Sequence, residues 1–381
     1  MKILTKKFTI IQTHKYFHDL LKGLFVLAVL ITTFSCSKNP IRESKVTPPV
    51  TPPDSLSNGV FVVNEGNFNW GNASVSFINF SNNSVDPDLF EPENKRPLGD
   101  VAQSMNISAN QGYIVVNNSN AVEIVSLKDF SSIKSMTGFN SPRDIAFVNA
   151  DKAYVTNLLG DITVVSLRTM EVKSVIKTAN WTEQMVSFGN MMFVSAIGKY
   201  TDPNTSRSAK VLVINTLTDQ IIDSIKTGKE PLGMVIDKKE KVWVLCTGGY
   251  DHVEAPSLIR IDPLLLEVEK TFTFTSAQNI PSRLCINGTG DTLYFIRDGI
   301  FQMPVTAATL PTQAIIPSQG RLFYGLGINP ANGNIFASDA VDYVQNGWVY
   351  QFSSSNGQLL HSYQVGRIPG SFCFPNSPGK K

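Results

Sequence analysis

Pro142-Arg-Asp-Ile-Ala-Phe147, Ala153-Tyr-Val-Thr-Asn157, Ile162-Thr-Val-Val-Ser-Leu167 and Val172-Lys-Ser-Val-Ile176 follow one another with only short polar breaks between them. Each run is rich in β-branched and aromatic residues. The breaks, such as Asn149-Ala-Asp151 and Arg168-Thr-Met170, have turn composition. Runs of this length with such punctuation predict β-strands. Four of them within residues 142–176 predict one antiparallel four-stranded sheet. A lone sheet of that size cannot bury both of its faces, so it needs neighbours of the same kind.

Working outward, the same unit recurs. An aromatic stands in the second strand of every repeat: Phe61, Tyr113, Tyr154, Phe193, Trp243, Tyr294 and Phe336. The third strands align as well, from Val75-Ser-Phe-Ile78 through Val122-Glu-Ile-Val125 and Leu258-Ile-Arg-Ile261 to Val349-Tyr-Gln-Phe352. Seven repeats predict an all-β, seven-bladed β-propeller, with each aromatic filling the wedge between adjacent blades. First strands fall around Met105, Ile145, Met185, Met234, Leu284 and Leu326. The first repeat lacks one, and Pro369-Gly-Ser-Phe-Cys-Phe374 has the missing pattern at the other end of the chain. The C-terminal strand is therefore expected to complete blade 1 and close the ring, removing two sheet edges open to aggregation.

The chain ahead of the repeats reads differently. Lys2, Lys6, Lys7, Lys15 and Lys22 precede the apolar run Leu24–Ile31, whose eight residues are too few to cross a hydrocarbon core about 30 Å thick. Residues 1–35 are expected to be an export signal. The small residue Ser35 followed by Cys36 resembles a lipobox, so Cys36 is the expected lipidation site and lipid anchor. Residues 36–58, with Thr47-Pro-Pro-Val-Thr-Pro-Pro-Asp54, are expected to be a Pro-rich tether, and residues 59–376 the propeller.

Composition narrows the function classes. The chain carries 33 basic and 31 acidic residues, and its mature part is close to neutral, which argues against nucleic acid as a partner. After Cys36 only Cys246, Cys285 and Cys373 remain, with no CxxC spacing, so neither a disulfide framework nor a zinc site is indicated. Cys285 and Cys373 occupy the inner-strand slot filled elsewhere by Ala146, Val235 and Gly327, which suggests packing. Only His252 and His361 lie beyond the signal segment, so no Ser-His-Asp set can be assembled with them. No catalytic residue, metal or cofactor is expected, and the chain reads as a binding protein, not an enzyme.

Propeller loops sort onto two faces. The face carrying the loops between second and third strands, and those linking blades, receives the long segments Asn64–Gly71, Ala196–Ser208, Thr247–Pro256 and Ser338–Trp348. Long loops on a rigid scaffold commonly carry function. Aromatics outside the blade pattern gather there: Phe68, Trp70, Trp181, Tyr200, Tyr250, Tyr343 and Trp348. With Asn64, Glu65, Asp100, Gln103, Arg143, Asn157, Arg297, Asp339 and Arg367 they are expected to line a broad mouth for a large, partly apolar ligand. An axial calcium ion held by Glu65, Asn157 and Asp339 would instead make a hydrolase of lactonase type, and a protein-interaction scaffold at the cell envelope is a third reading.

The repeats Pro-x-x-Ile-Ala, Tyr-Val-Thr-Asn and Ile-Thr-Val-Val-Ser-Leu resemble the YncE-like β-propellers. Asn64-Glu-Gly-Asn-Phe-Asn-Trp-Gly-Asn-Ala-Ser-Val-Ser76 and Pro97-Leu-Gly-Asp-Val-Ala-Gln-Ser-Met105 resemble a Bacteroidetes lipoprotein subgroup of that family, which includes the vitamin B12-capturing surface lipoprotein BtuG. The resemblance covers residues 59–375. It implies a lipid-anchored, surface-exposed protein of the cell outer membrane that binds a corrinoid for delivery to a TonB-dependent outer-membrane receptor. Aromatic loops would stack on the corrin, while Asn64, Gln103, Asn157 and Arg143 would serve its amide arms.

Overall fold

The computed structural model describes residues 56–198, 209–249 and 251–375. The expected export signal, Cys36 and the Pro-rich segment lie outside them, as do Tyr200 and Tyr250. The described residues form seven four-stranded antiparallel sheets, each with its strands in spatial order from the axis outward. Blade 3 comprises Pro142–Phe147, Lys152–Asn157, Ile162–Ser166 and Glu171–Ile176, within one residue of the limits read from sequence. Each inner strand also touches the inner strand of the next blade, which makes the sheets a closed propeller.

Closure takes the expected form. Blade 1 has the order Pro369–Cys373, Gly59–Asn64, Ser74–Asn79, Val85–Asp86, so its inner strand comes from the far end of the chain. Phe61 pairs with Cys373 and Val62 with Phe372. Between blades 1 and 2 the chain makes a longer excursion with a helical turn, Phe90–Asn94. Phe90 is fully buried there, and Arg96 returns from the same excursion to pair with Glu123 at 2.7 Å. Leu56, just before the first strand, is buried in the same seam, so the folded body takes in the end of the expected tether.

Seven apolar clusters lie in the seven seams between blades, and each holds one aromatic of the repeat. Tyr154 of blade 3 packs on Met185, Met192 and Val194 of blade 4, and Trp243 of blade 5 packs on Leu284 and Leu293 of blade 6. The seam between blades 7 and 1 joins Phe336 to Val60, Val62 and Phe374. Second strands are buried on both faces because a blade flanks each side; Gly59–Asn64 is buried at every residue. Directly opposite each aromatic on the inner strand stands a residue of the slot that includes the cysteines: Ala146 across from Tyr154, Cys285 from Tyr294, Gly327 from Phe336. The space left beside a ring of that size explains the mostly small residues.

Candidate functional site

Every inner strand carries a register shift at the end that faces the long loops: between Ala102 and Ser104, Pro142 and Ile145, Thr182 and Met185, Pro231 and Gly233, Ser282 and Cys285, Phe323 and Leu326, with Val63/Asn64 the matching break in blade 1. A bulge puts an extra residue into one strand and re-aims its side chain. The extra position belongs to Gln103, Arg143, Glu183, Leu232, Arg283, Tyr324 and Gly370 in blade order from 2 round to 1. Four of these strands begin just after a residue with left-handed backbone: Val101 (φ 58°), Ser141 (55°), Glu230 (51°) and Ile368 (52°). Two of the four are β-branched, for which this conformation is costly; the surrounding sheet holds the strain, and strain of this kind collects at functional sites.

Hydroxyls on the second strands fix three of the bulges. Thr156 Oγ1 accepts from Asp144 N (3.1 Å), Ser195 Oγ from Gln184 N (2.9 Å) and Ser338 Oγ from Gly325 N (2.7 Å). Two of them reach on to the next blade, Thr156 donating to the Glu183 carbonyl and Ser338 to the Pro369 carbonyl. The bulge and the blade seam are thus tied by one atom.

The resulting ring of side chains forms two polar arcs. In the first, Arg143 donates through Nε to Glu183 (2.8 Å) and through Nη1 to Gln103 (2.5 Å). In the second, Tyr324 donates its hydroxyl to Glu65 Oε2 (2.9 Å), while Arg283 lies over the Tyr324 ring at 4.9 Å and stands 3.6 Å from Glu65 Oε1. Glu65 comes from the loop of blade 1 and fills the place that Gly370 leaves without a side chain; a Cβ at Gly370 would sit 2.4 Å from Glu65 Oε1. Two guanidiniums face two carboxylates, so the ring is neutral. Burial pushes the Glu65 carboxyl above the usual carboxylate range, against the pull of Arg283, Tyr324 and Arg143. Burial would lower the Arg143 guanidinium, but Glu183 and Glu65 outweigh it and hold the charge in place.

Around this ring the loops of blades 1, 2 and 7 are laced together. Asn67 donates to the Tyr343 carbonyl (2.5 Å), Arg367 to the Val344 carbonyl (2.9 Å), and Gly66 N to the Arg367 carbonyl (3.1 Å). Asp100 Oδ2 receives Asn69 N (2.8 Å) and Asn118 Nδ2 (2.6 Å), which ties the blade 1 loop to blade 2. Gly66 turns at φ 73° with Asn72 and Ala73 pressed against it, a geometry that a side chain would obstruct. Held this way, the loops still present Phe68 at 65% exposure and Trp70 at 77%, with Tyr343, Val344 and Trp348 beside them on blade 7. Tyr343 also meets Tyr324 edge to face at 5.7 Å, so the aromatic rim is continuous with the polar ring.

Of the residues singled out from sequence, Glu65, Gln103 and Arg143 belong to the ring, and Phe68, Trp70, Asp100, Tyr343 and Arg367 to the laced loops. Trp348 is the third residue of the third strand of blade 7, and Trp181 starts the inner strand of blade 4. Others act within their blades. Asn64 is fully buried and donates to Ser74 and Ser76. Asn157 donates to the Asp161 carbonyl and Thr163 and accepts from Asn140 N. Asp339 caps its loop by accepting from Val341 N (2.8 Å), and Arg297 lies over Phe301 at 4.4 Å. The residues named for a calcium ion are therefore engaged separately, and among the described residues no three of His, Cys, Asp or Glu are grouped to hold a metal.

Sequence reading missed Glu183, Arg283 and Tyr324. A signal existed: Arg283 and Tyr324 each follow the residue that opens the inner strand, as Arg143 follows Pro142, and Glu183 stands two residues after the opening Trp181. In blade 6 the bulge sits one residue closer to the aromatic than in blade 3, so Arg283 falls out of line in a simple alignment of repeats.

The fold is shared widely. Similar solved structures include a quinoprotein alcohol dehydrogenase-like protein of Bacteroides thetaiotaomicron, with 15% identity, 85% of this chain and 80% of that chain covered, and a TM-score of 0.66. Another is hydrazine synthase of Kuenenia stuttgartiensis, with 13% identity, 72% and 90% covered, and a TM-score of 0.57. Dihydro-heme d1 dehydrogenase NirN has 10% identity, 85% and 77% covered, and a TM-score of 0.55. At these identities the likeness concerns the propeller and not its chemistry. No curated protein matches the chain in sequence. The model of a domain of unknown function, DUF5074, matches residues 58–378, and the chain belongs to that family.

Proposed function

We infer that this protein is a capture module for a large nutrient, a corrinoid of the vitamin B12 type, held on the long-loop face. The observation that carries the reading is the exposure of Phe68 and Trp70 on loops that are otherwise fully tied down. Aromatics that stabilised their own loops would be buried; these are offered to solvent beside a neutral ring of hydrogen-bonding groups. Exposed apolar clusters rimmed by polar residues are typical of binding surfaces. A corrin matches that combination, being a wide partly apolar macrocycle with neutral amide arms. The lipobox-like Ser35-Cys36 supports an anchored form at the cell outer membrane, exposed at the surface. A TonB-dependent receptor there would take the ligand onward.

Isothermal titration of the chain from residue 37 with cyanocobalamin and with cobinamide tests the ligand. Heat with saturation at micromolar ligand is expected; no heat and no thermal shift with either would overturn the corrinoid assignment. Labelling cells with a fatty-acid analogue tests the anchor: wild type should be marked and Cys36→Ala should not.

A further inference from the structure

The face opposite the long loops carries the turns between first and second strands and those between third and fourth. Most of these turns have polar tips, such as Ser81, Asn82 and Asn83 in blade 1, Asn149 and Asp151 in blade 3, and Ser355 and Asn356 in blade 7. Blades 4 and 5 depart from this. Their outer turns present Leu217, Leu264 and Leu265, between 67% and 76% exposed. The strands that follow, Gln220–Lys226 and Glu267–Thr273, begin with Ile221, Ile222 and Val268, which are exposed as well. The two turns are neighbours. Thr216 N donates to the Asn190 carbonyl (2.8 Å) in the tight turn of blade 4, and Leu266 packs on the seam cluster that also takes Phe188 and Met191 from either side of that turn. Single exposed leucines are ordinary on a protein surface, but aliphatic side chains gathered on two adjacent blades form a patch, and a patch marks an interaction surface.

Shape and chain path say what covers it. The leucines stand on protruding turns and not in a groove, and they come without the aromatic and arginine residues that anchor protein–protein contacts. Protruding aliphatic tips suit a fluid lipid surface, which needs no matching shape. The lysines at the border are engaged by carboxylates, Lys152 by Asp219 (2.7 Å), Lys241 by Asp262 (2.5 Å) and Lys238 by Asp291 (3.3 Å), so the patch is apolar and not basic. The chain also enters the fold on this face. Gly59–Asn64 leads at its far end into the long loops, so Gly59 lies at the opposite end. Asn58 donates to Ser81 Oγ (2.8 Å) in the outer turn of blade 1, and Leu56 shares a cluster with Phe130 from the outer turn of blade 2. Chain geometry limits the distance between Cys36 and Leu56 to at most about 70 Å. In the ring of inner-strand contacts blade 1 stands across from blades 4 and 5, so the entry point and the leucine patch are supports at opposite edges of one face.

We propose that this leucine face rests on the bilayer that holds the lipid of Cys36, with Leu217, Leu264 and Leu265 in the headgroup layer and the long-loop face turned to the medium. The proposal rests on the anchored form inferred above. So oriented, Phe68 and Trp70 are open to a ligand arriving from outside. Passing that ligand to a receptor in the same membrane then requires the propeller to tip off its leucines, which so small an apolar contact allows.

Methyl NMR on the full-length protein in phosphatidylcholine nanodiscs tests this, because exposed leucine and valine methyls occur on both faces. Spectra are compared with and without a lipid that carries a gadolinium chelate on its headgroup. Relaxation of Leu217, Leu264 and Leu265 is expected to be enhanced severalfold more than that of Leu159, Val253 and Val344 on the long-loop side. In the triple variant Leu217→Ser, Leu264→Ser, Leu265→Ser, the long-loop methyls are expected to lose this protection. The comparison within wild type stands whether or not the variant folds. Equal enhancement on the two faces, or a larger one on the long loops, overturns the proposal. So does unchanged protection in a folded triple variant. Leucine shifts that follow protein concentration without gadolinium enhancement would assign the patch to a second copy of the chain, and overturn it too. Failure of the anchor shows separately, as absence of the fatty-acid label from Cys36, and removes the proposal with it.

Discussion

Phe61 and Phe68 are seven residues apart, and they belong to two regions governed by different physics. Phe61 is fully buried in the seam between blades 1 and 2, against Phe77 at 4.9 Å and Phe130 at 5.7 Å. Phe68 is 65% exposed on the long-loop face. The seams repeat because every blade meets the same problem, a wedge-shaped gap to be filled by one large ring and a smaller residue opposite it. The long-loop face does not repeat: blade 6 turns there through Arg297-Asp298 alone, while blades 1 and 7 send out long laced loops. Regularity marks what folding requires, and departure from it marks surface that folding leaves available for a ligand.

The sharpest way to break this comparison is to open the ring. Deleting residues 367–381 removes the partner of Gly59–Asn64 and takes Phe372 and Phe374 from the seam with blade 7. The expected outcome is aggregation or loss of cooperative melting, read by light scattering and calorimetry. A monomer with unchanged melting would show that closure does not depend on this strand. Next in size is the pair of phenylalanines itself. Phe61→Ala should cost about 3–5 kcal/mol in denaturant unfolding, the usual range for emptying a buried ring site. Phe68→Ala should stay within about 0.5 kcal/mol of wild type. Equal costs would erase the distinction between seam and face.

The binding side is sharpened by Trp70→Ala. On the corrinoid reading, losing this aromatic anchor should lower affinity for cyanocobalamin roughly thirtyfold, about 2 kcal/mol, with melting unchanged. An affinity equal to wild type would move the anchor elsewhere on the rim. The smallest expected effect is on pH dependence. Because burial raises the Glu65 carboxyl, the folded state holds that proton more tightly than the unfolded chain. Its contribution to stability is present below the ordinary value of 4.5 and is lost as pH rises through the folded value. Glu65→Gln lacks this proton, so its melting temperature relative to wild type should climb with pH above that point. A decline instead would mean that Arg283 and Tyr324 hold the anion more strongly than burial opposes it.

The propeller was legible because its determinants are local and repeated. One aromatic per second strand, alternation in the third strands and turn residues between them were enough to predict seven blades and closure by Pro369–Phe374. The ring was only half legible. Glu65, Gln103 and Arg143 stood out, but Glu183, Arg283 and Tyr324 did not, because a bulge changes which way a side chain points without leaving a fixed mark in the sequence. Asn64 and Asn157 show the reverse: their residue type and position at a strand end suited a binding mouth, yet both side chains hydrogen-bond inside their own blades.

By itself, then, the chain's sequence determined the period, the architecture and the seam residues, since burial of an apolar face follows from pattern alone. Only the tertiary structure decided which polar residues meet. Glu65, Arg143, Arg283 and Tyr324 come from four blades and are brought to one axis by ring closure and by bulges of unequal position, and no local signal encodes a distance between residues 65 and 324. The ion pair of Glu65 with Arg283 exists only in that assembled ring, because it depends on what blades 1 and 6 place at the axis.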